Sequence, residues 1–305
     1  MSRERKKRSR FPLLELICLS LIATGLPAAV EGLPDYDLLG TEDNPNLYQR
    51  LFRSEFACLG EVVEIGQYAT FEATETYAGA IDGSRFQIVY RGMSWGRRVT
   101  GLNPIKFKVG DRFLLFLRYY REHERPVRPD LFELLDGAWG QIPLRGEGEK
   151  ALVEGMRLLI GAATRPSPGE RDAVLLGLIG SPNPYAAGAA MTQVLVEGLA
   201  GIEQIPVLLS QMDGGVAPLK LGALRILRKM GPTLPDTFDA TTLAEAIFLR
   251  VGWGGEDPVE VRRTAVDALG TLGVDALEQV REVSRVDADQ SVRYDAAVWV
   301  LEQEG

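Results

Sequence analysis

The chain has 305 residues, 46% hydrophobic and 25% charged, which suits about two globular domains and argues against wholesale disorder. A single histidine and two cysteines exclude the usual zinc ligand sets, and no phosphate-binding or cofactor motif is present. The formal charge of −8 is misleading, because six of the first ten residues are basic.

Those bases (Arg3, Arg5, Lys6, Lys7, Arg8, Arg10) precede an apolar run over residues 16–26 and the small-residue segment Pro27-Ala28-Ala29. This is the pattern of a secretory signal peptide, assigned to residues 1–32, and it predicts export to the periplasm or the extracellular space. An uncleaved anchor is the alternative; a lipid anchor at Cys18 is excluded because Ile17 stands where a small residue is needed. Without residues 1–32 the chain holds 28 bases and 39 acids, a net of −11. That balance disfavours nucleic acid and anionic membranes as partners, leaving membrane contact only through an uncleaved signal segment. Cys58, then the sole cysteine, sits in an apolar run and is expected to be a buried, inert thiol.

Residues 33–54 form a polar lead-in segment with one short helix. A small β-domain is predicted over residues 55–145, with strands at 56–65, 69–77, 85–91, 97–102, 111–119 and 131–135 separated by turn signals such as Asp82-Gly83 and Gly110-Asp111. The run Phe113-Leu114-Leu115-Phe116-Leu117 is apolar on both faces and so belongs to a central strand. Short strands this close together make a barrel or sandwich.

Residues 146–164 read as a connecting helix, closed by the breaker cluster Arg165-Pro166-Ser167-Pro168-Gly169, where a domain boundary is placed. Beyond it the expected fold is all helical and repetitive. Asp257 is predicted to cap a helix with Pro258 at its first position and Glu260 completing a capping box. That helix buries Val261, Ala265, Ala268, Leu269 and Leu272. The spacing returns 31 residues later as Val292, Ala296, Trp299 and Val300, and 42 residues earlier as Leu219, Ala223, Ile226, Leu227 and Met230. A fainter copy lies at Ala187, Met191, Val194 and Leu195, and the longer interval is accommodated by an insertion at 232–241. A base follows the first apolar position in three copies: Lys220, Arg262 and Arg293. Helix pairs of this size bury their apolar faces only by stacking on one another.

Two resemblances follow from these residues. Asp257, Val261-Arg262, Ala265 and Ala268-Leu269-Gly270, with Val292-Arg293 and Ala296, resemble HEAT-like repeats of the phycobilisome-lyase type; this implies a helical solenoid over residues 165–305 and no bilin chemistry. The segments Phe56-Ala57-Cys58-Leu59-Gly60-Glu61, Phe107-Lys108-Val109-Gly110-Asp111 and Trp139-Gly140-Gln141 are similar to OB-like or netrin-like barrels of exported bacterial proteins. The cysteine framework on which protease inhibitors of that fold depend is missing, so that activity is not implied. The fold class expected is therefore α+β in two domains, a small N-terminal barrel or sandwich followed by an all-α HEAT-like solenoid.

Chemistry is sparse. Gly92-Met93-Ser94-Trp95-Gly96 matches the nucleophile elbow, but a strand is predicted after it where a helix is required, and the lone His123 arrives too soon. A hydrolase using Ser94 is the weakest of the alternatives. Asp287 and Asp289 are the nearest carboxylate pair and read as solvated turn acids rather than a calcium site. Charge is unevenly spread: residues 85–128 carry eleven bases and three acids, residues 165–305 twelve bases and twenty acids. The basic stretch could dock on the acidic repeats, bind an external anion such as a polysaccharide or acidic peptide, or simply face solvent. The expectation is a non-catalytic exported adaptor, without cofactor or metal, that binds a protein or peptide through the repeats. Candidate contacts are Arg91, Arg97, Arg98, Lys106 and Lys108 in the β-domain, and Arg262, Arg263, Arg293 and Asp267 on the repeats.

Overall fold

The computed structural model describes residues 38–40, 45–89, 107–123, 125–135, 137–146, 148–165, 167–214 and 216–304. The N-terminal segment 1–32, the expected strand at 97–102, the Ser94 motif and the bases Arg91, Arg97, Arg98 and Lys106 lie outside the described residues. The fold is α+β, a small barrel followed by helices, and it divides into two compact units, one running through Leu199 and one from Ala200.

In the first unit, five strands close on themselves. β1 (Phe56–Ile65), β2 (Ala69–Ala78), β3 (Arg85–Ile88), β4 (Arg112–Tyr119) and β5 (Leu131–Leu134) pair in the order β1-β2-β3-β5-β4 and back to β1. Every pairing in this ring is antiparallel except β3 with β5, which sets Gln87 beside Leu131 and Ile88 beside Phe132. A sixth strand, β6 (Gln141–Pro143), pairs with the first half of β4. No signal for β6 is legible in the sequence, because three residues are too few to show an alternation.

The alternation of side chains along a strand explains the interior. Phe113, Leu115 and Leu117 of β4 point into the barrel with Phe56, Cys58, Phe71, Phe86, Ile88 and Phe132. Their rings meet edge-on or stacked at centroid distances of 5.1–6.3 Å, for example Phe71–Phe107 at 5.1 Å and Phe71–Phe113 at 6.3 Å. Leu114 and Phe116, on the other face, are buried as well, and the Arg50 guanidinium lies 5.9 Å above the Phe116 ring. Arg50 belongs to α1 (Leu47–Arg53), which Asn46 opens with a capping box through Gln49. β4 is thus covered on both faces, as its apolar sequence requires. Cys58 is buried, and burial pushes its thiol far above the ordinary range, as expected of an inert sulfur. At Gly79, φ is +73° and a Cβ would collide with the Glu55 carbonyl oxygen, so only glycine fits the end of β2.

Three helices complete this unit: α2 (Gly148–Ala163), α3 (Pro168–Leu178) and α4 (Pro184–Glu197), which pack on one another and, through α2 and α4, on α1. The Pro-rich breaker cluster falls between α2 and α3, with Ser167 capping α3 by accepting from the Glu170 N–H.

The second unit holds six helices among the described residues: α5 (Ile205–Asp213), α6 (Ala217–Met230), α7 (Ala240–Phe248), α8 (Val259–Gly270), α9 (Leu277–Val286) and α10 (Gln290–Glu304). They pack as three successive pairs, α5 with α6, α7 with α8 and α9 with α10, while α8 also lies between α6 and α10. The recurring apolar positions are the contacts: Leu219, Ala223, Ile226 and Leu227, then Val261, Ala265, Ala268 and Leu269, then Val292, Ala296 and Val300 are buried.

The recurring bases join one pair to the next. The Lys220 ammonium donates to both oxygens of Asp257 at 2.9 Å. Arg262 donates through Nε to the Asp257 carbonyl oxygen at 3.1 Å and pairs through its guanidinium with Asp287. Arg293 donates to the Asp287 carbonyl oxygen at 2.5 Å. Arg262 and Arg293 therefore reach the carbonyl of the acid just before their own helix, and Lys220 and Arg262 reach the carboxylate of the next pair.

Three expectations are corrected here. Asp257 does not cap α8: the helix begins at Val259 after Pro258, and the Asp257 carboxylate is taken by the Lys220 ammonium and the Gly252 N–H, a charged donor being the stronger competitor. Glu260, likewise, pairs with Arg225 at 2.9 Å instead of closing a capping box. Asp287 is not a solvated turn acid, since its side chain is 0% exposed against an Arg262 side chain at 5%.

Breaking a buried pair from one side strands a charge, at a cost of about 3–5 kcal/mol. Asp287→Ala should lower stability by that amount in urea unfolding, and the double variant Arg262→Met/Asp287→Leu should recover most of it. A loss in the single variant below about 1 kcal/mol would show that the link does not hold the pairs together.

Candidate functional site

A groove of about 600 Å³ crosses α6, α8 and α10 in the second unit. Helical spacing builds its walls: Tyr294, Val298 and Glu302 follow one another every fourth residue along α10, with Asp295 and Trp299 on the flank nearer α8. Asp267, Gly270 and Thr271 come from α8, and Arg228 from α6. The Trp299 indole fits against α8 because residue 270 has no side chain; a Cβ there would stand 2.9 Å from the Trp299 Nε1. Trp299 is half-buried and Tyr294 is 68% exposed, so aromatic surface faces water here.

Ion pairs frame the groove. Arg228 holds Asp267 at 2.8 Å, and Arg263 holds Asp295 at 3.2 Å. Glu302 has no ion pair among the described residues, and the span 200–305 carries ten bases against seventeen acids. The groove therefore offers aromatic contact with a negative bias, suited to an apolar or aromatic side chain accompanied by a cation.

A larger groove, about 1050 Å³, runs between α2 and the barrel in the first unit, over Leu59 and Val153. Its strongest charges are already matched: Arg157 donates to the two oxygens of Glu75 at 2.8 and 2.6 Å, and Arg112 meets Glu149 at 2.7 Å. These contacts fasten α2 to the sheet. The Arg157 hydrogen bonds hold the Glu75 carboxyl below its ordinary value, outweighing partial burial.

The sequence-derived candidates fall into distinct settings. Arg262 is buried in its pairs with Asp257 and Asp287, so the expectation that it is a surface contact is corrected: the base follows the buried apolar position too closely to reach solvent. Arg293 is half-buried on the same line, whereas Arg263 and Asp267 are exposed at the groove, each in an ion pair. Lys108 is exposed in the turn before β4, where its N–H donates to Asp111. Trp299, expected in the buried stripe, lies at its edge and lines the groove. Tyr294, Val298 and Arg228 were not singled out by sequence, although their positions one turn from the stripe were a usable signal.

The basic stretch 85–128 is not a free cationic face where it is described. Of its seven described bases, five are in ion pairs: Arg85 with Glu72, Arg112 with Glu149, Arg118 with Glu133, Arg121 with Glu55, and Arg128 with Asp130. All five acids lie outside the stretch in sequence. His123 is exposed at the tip of the short hairpin joining 121–122 to 125–126, with φ at +51°.

No protein-family model matches the chain, and no curated protein or solved structure matches it significantly.

Because Glu75 is held below its ordinary value of 4.5, its clamp on Arg157 contributes stability above the unfolded value and loses it as pH falls through the lower folded value. A carbon-detected NMR titration should find Glu75 titrating below other glutamates, and Arg157→Gln should return it to the ordinary range. An unshifted Glu75 would mean that the clamp is absent in solution.

Proposed function

We propose that this chain is an exported, non-catalytic adaptor whose helical repeats bind a protein or peptide in the α6–α8–α10 groove. The observation that carries this reading is the half-open aromatic pair Tyr294 and Trp299 between exposed ion pairs, on a scaffold of helix pairs joined by recurring buried links. Aromatic anchors beside charged groups are the usual centre of a binding surface.

A HEAT-like identity for the second unit is supported by its 31-residue spacing and by the matching roles of Lys220 and Arg262. An OB-like identity for the barrel is supported by its closed five-strand order with β3 and β5 parallel. The basic, then apolar, then small-residue N-terminus supports export. Binding of an external anion by the barrel is the weaker reading, since acids elsewhere in the unit neutralise most of the described bases.

The test is a peptide array probed with the purified protein. Retained peptides should combine an aromatic or aliphatic residue with Lys or Arg. Val298→Asp should weaken their binding at least about tenfold, or about 1.4 kcal/mol, while Leu249→Glu, at an exposed site elsewhere, should not. Equal binding by all three proteins would remove the groove from the reading. Turnover of ester substrates lost in Ser94→Ala would replace the adaptor with an enzyme.

A further inference from the structure

The first unit holds a smaller pocket, of about 160 Å³, where α1, α3 and α4 meet. Spacing of four residues builds two of its walls: Tyr48 and Phe52, with Gln49 beside them, come from α1, and Gln193 and Glu197 come from α4. Arg171 of α3 closes a third side. At that volume, below the roughly 300 Å³ of a drug-sized site, the pocket takes one small ring or side chain.

Two features here have no use in the fold. Tyr48 is 3% exposed, yet among the described residues its hydroxyl has no hydrogen-bond partner. A buried hydroxyl left without a partner costs stability, so this one is kept for something outside the protein. Phe52 stacks on the Tyr48 ring, 6.3 Å between centroids and 18° between planes, and is 67% exposed, so an aromatic surface stands open at the rim.

Charge and hydrogen-bonding capacity select the ligand. Arg171 pairs with Asp172 at 2.8 Å and with Glu197 at 2.5 Å, and Gln193 donates to the other Glu197 oxygen. With Arg53, two bases stand against two acids, a balance that favours neither an anion nor a cation. The Gln49 oxygen accepts from the Asn46 N–H, which leaves the Gln49 amide N–H groups to donate. The Gln193 nitrogen is taken by Glu197, which leaves its oxygen to accept. Such a mixed set is met by hydroxyls, which both donate and accept, carried on a ring whose C–H face can lie on Phe52.

We propose that the pocket between α1, α3 and α4 binds a neutral pyranose sugar, its C–H face on Phe52 and its hydroxyls bonded to Tyr48, Gln49 and Gln193. The site lies within the first unit and does not depend on what the groove of the second unit takes.

Saturation-transfer NMR of the full protein with methyl glycosides of glucose, galactose, mannose and N-acetylglucosamine should show transfer to the ring C–H protons of at least one, with a dissociation constant on the order of 1 mM. Phe52→Ala should weaken that binding at least tenfold, and Phe52→Trp should keep it. Tyr48→Phe removes a hydroxyl that holds nothing in the protein, so it should weaken binding severalfold and leave the urea midpoint unchanged or raised. Leu249→Glu, in the second unit, should bind as the parent does. A tetrasaccharide of the bound sugar that binds more tightly than its glycoside would assign the site to a glycan chain, and equal binding would assign it to a single sugar. No transfer to any of the four glycosides at about 50 mM, binding indifferent to Phe52→Ala, or a lowered urea midpoint in Tyr48→Phe would each overturn the proposal.

Discussion

The second unit depends on a line of buried charge that runs through successive helix pairs: Lys220, Asp257, Arg262, Asp287, Arg293. Hydrophobic contact between the pairs is plentiful but has little directional preference, and small aliphatic faces such as Ala265, Ala268 and Ala296 can slide over one another. A desolvated cation that satisfies one carbonyl and one carboxylate cannot slide, because every displacement leaves a charge unpaired in a poorly solvating interior. The line therefore fixes register where packing alone would leave it loose. The groove inherits this order, since Asp267, Gly270 and Trp299 reach their positions only if α8 and α10 stand in one alignment.

The barrel solves a different problem by closure. Ring pairing leaves each of β1 to β5 bonded on both edges over part of its length, and the aromatic interior fills the space that so few strands enclose. β4 alone meets three neighbours, β1, β5 and β6, and its apolar run Phe113–Leu117 is the direct consequence of being buried on both faces there. Helix α2 is then tied on by arginine–glutamate pairs at the sheet surface, where partial exposure makes each contact individually weak and the set useful.

Much of this was legible in the sequence, and the failures have two causes. Strands β1, β2 and β4 were placed within a residue of their observed limits, because long runs with two-residue alternation or with unbroken apolarity leave few alternatives. The second unit's apolar stripes were read correctly for the same reason, apart from Trp299 at the edge of the last. Sequence reasoning failed wherever a charged residue's partner was distant along the chain. Asp257 looked like a helix cap from its neighbours, yet its ammonium partner lies 37 residues away. Arg262 looked exposed because it is an arginine, and the basic stretch looked unbalanced because the five acids that pair with it lie outside the stretch. The groove was missed since its residues occupy the shoulder of a helix face, a place that apolar periodicity does not mark.

Each base in the line meets only acids of its own or the next pair, and each of those acids stands just before the second helix of a pair. Were the 30 residues 257–286 excised, Asp287 would arrive opposite Lys220 with the same chemistry that Asp257 now supplies. The unit is in that sense modular.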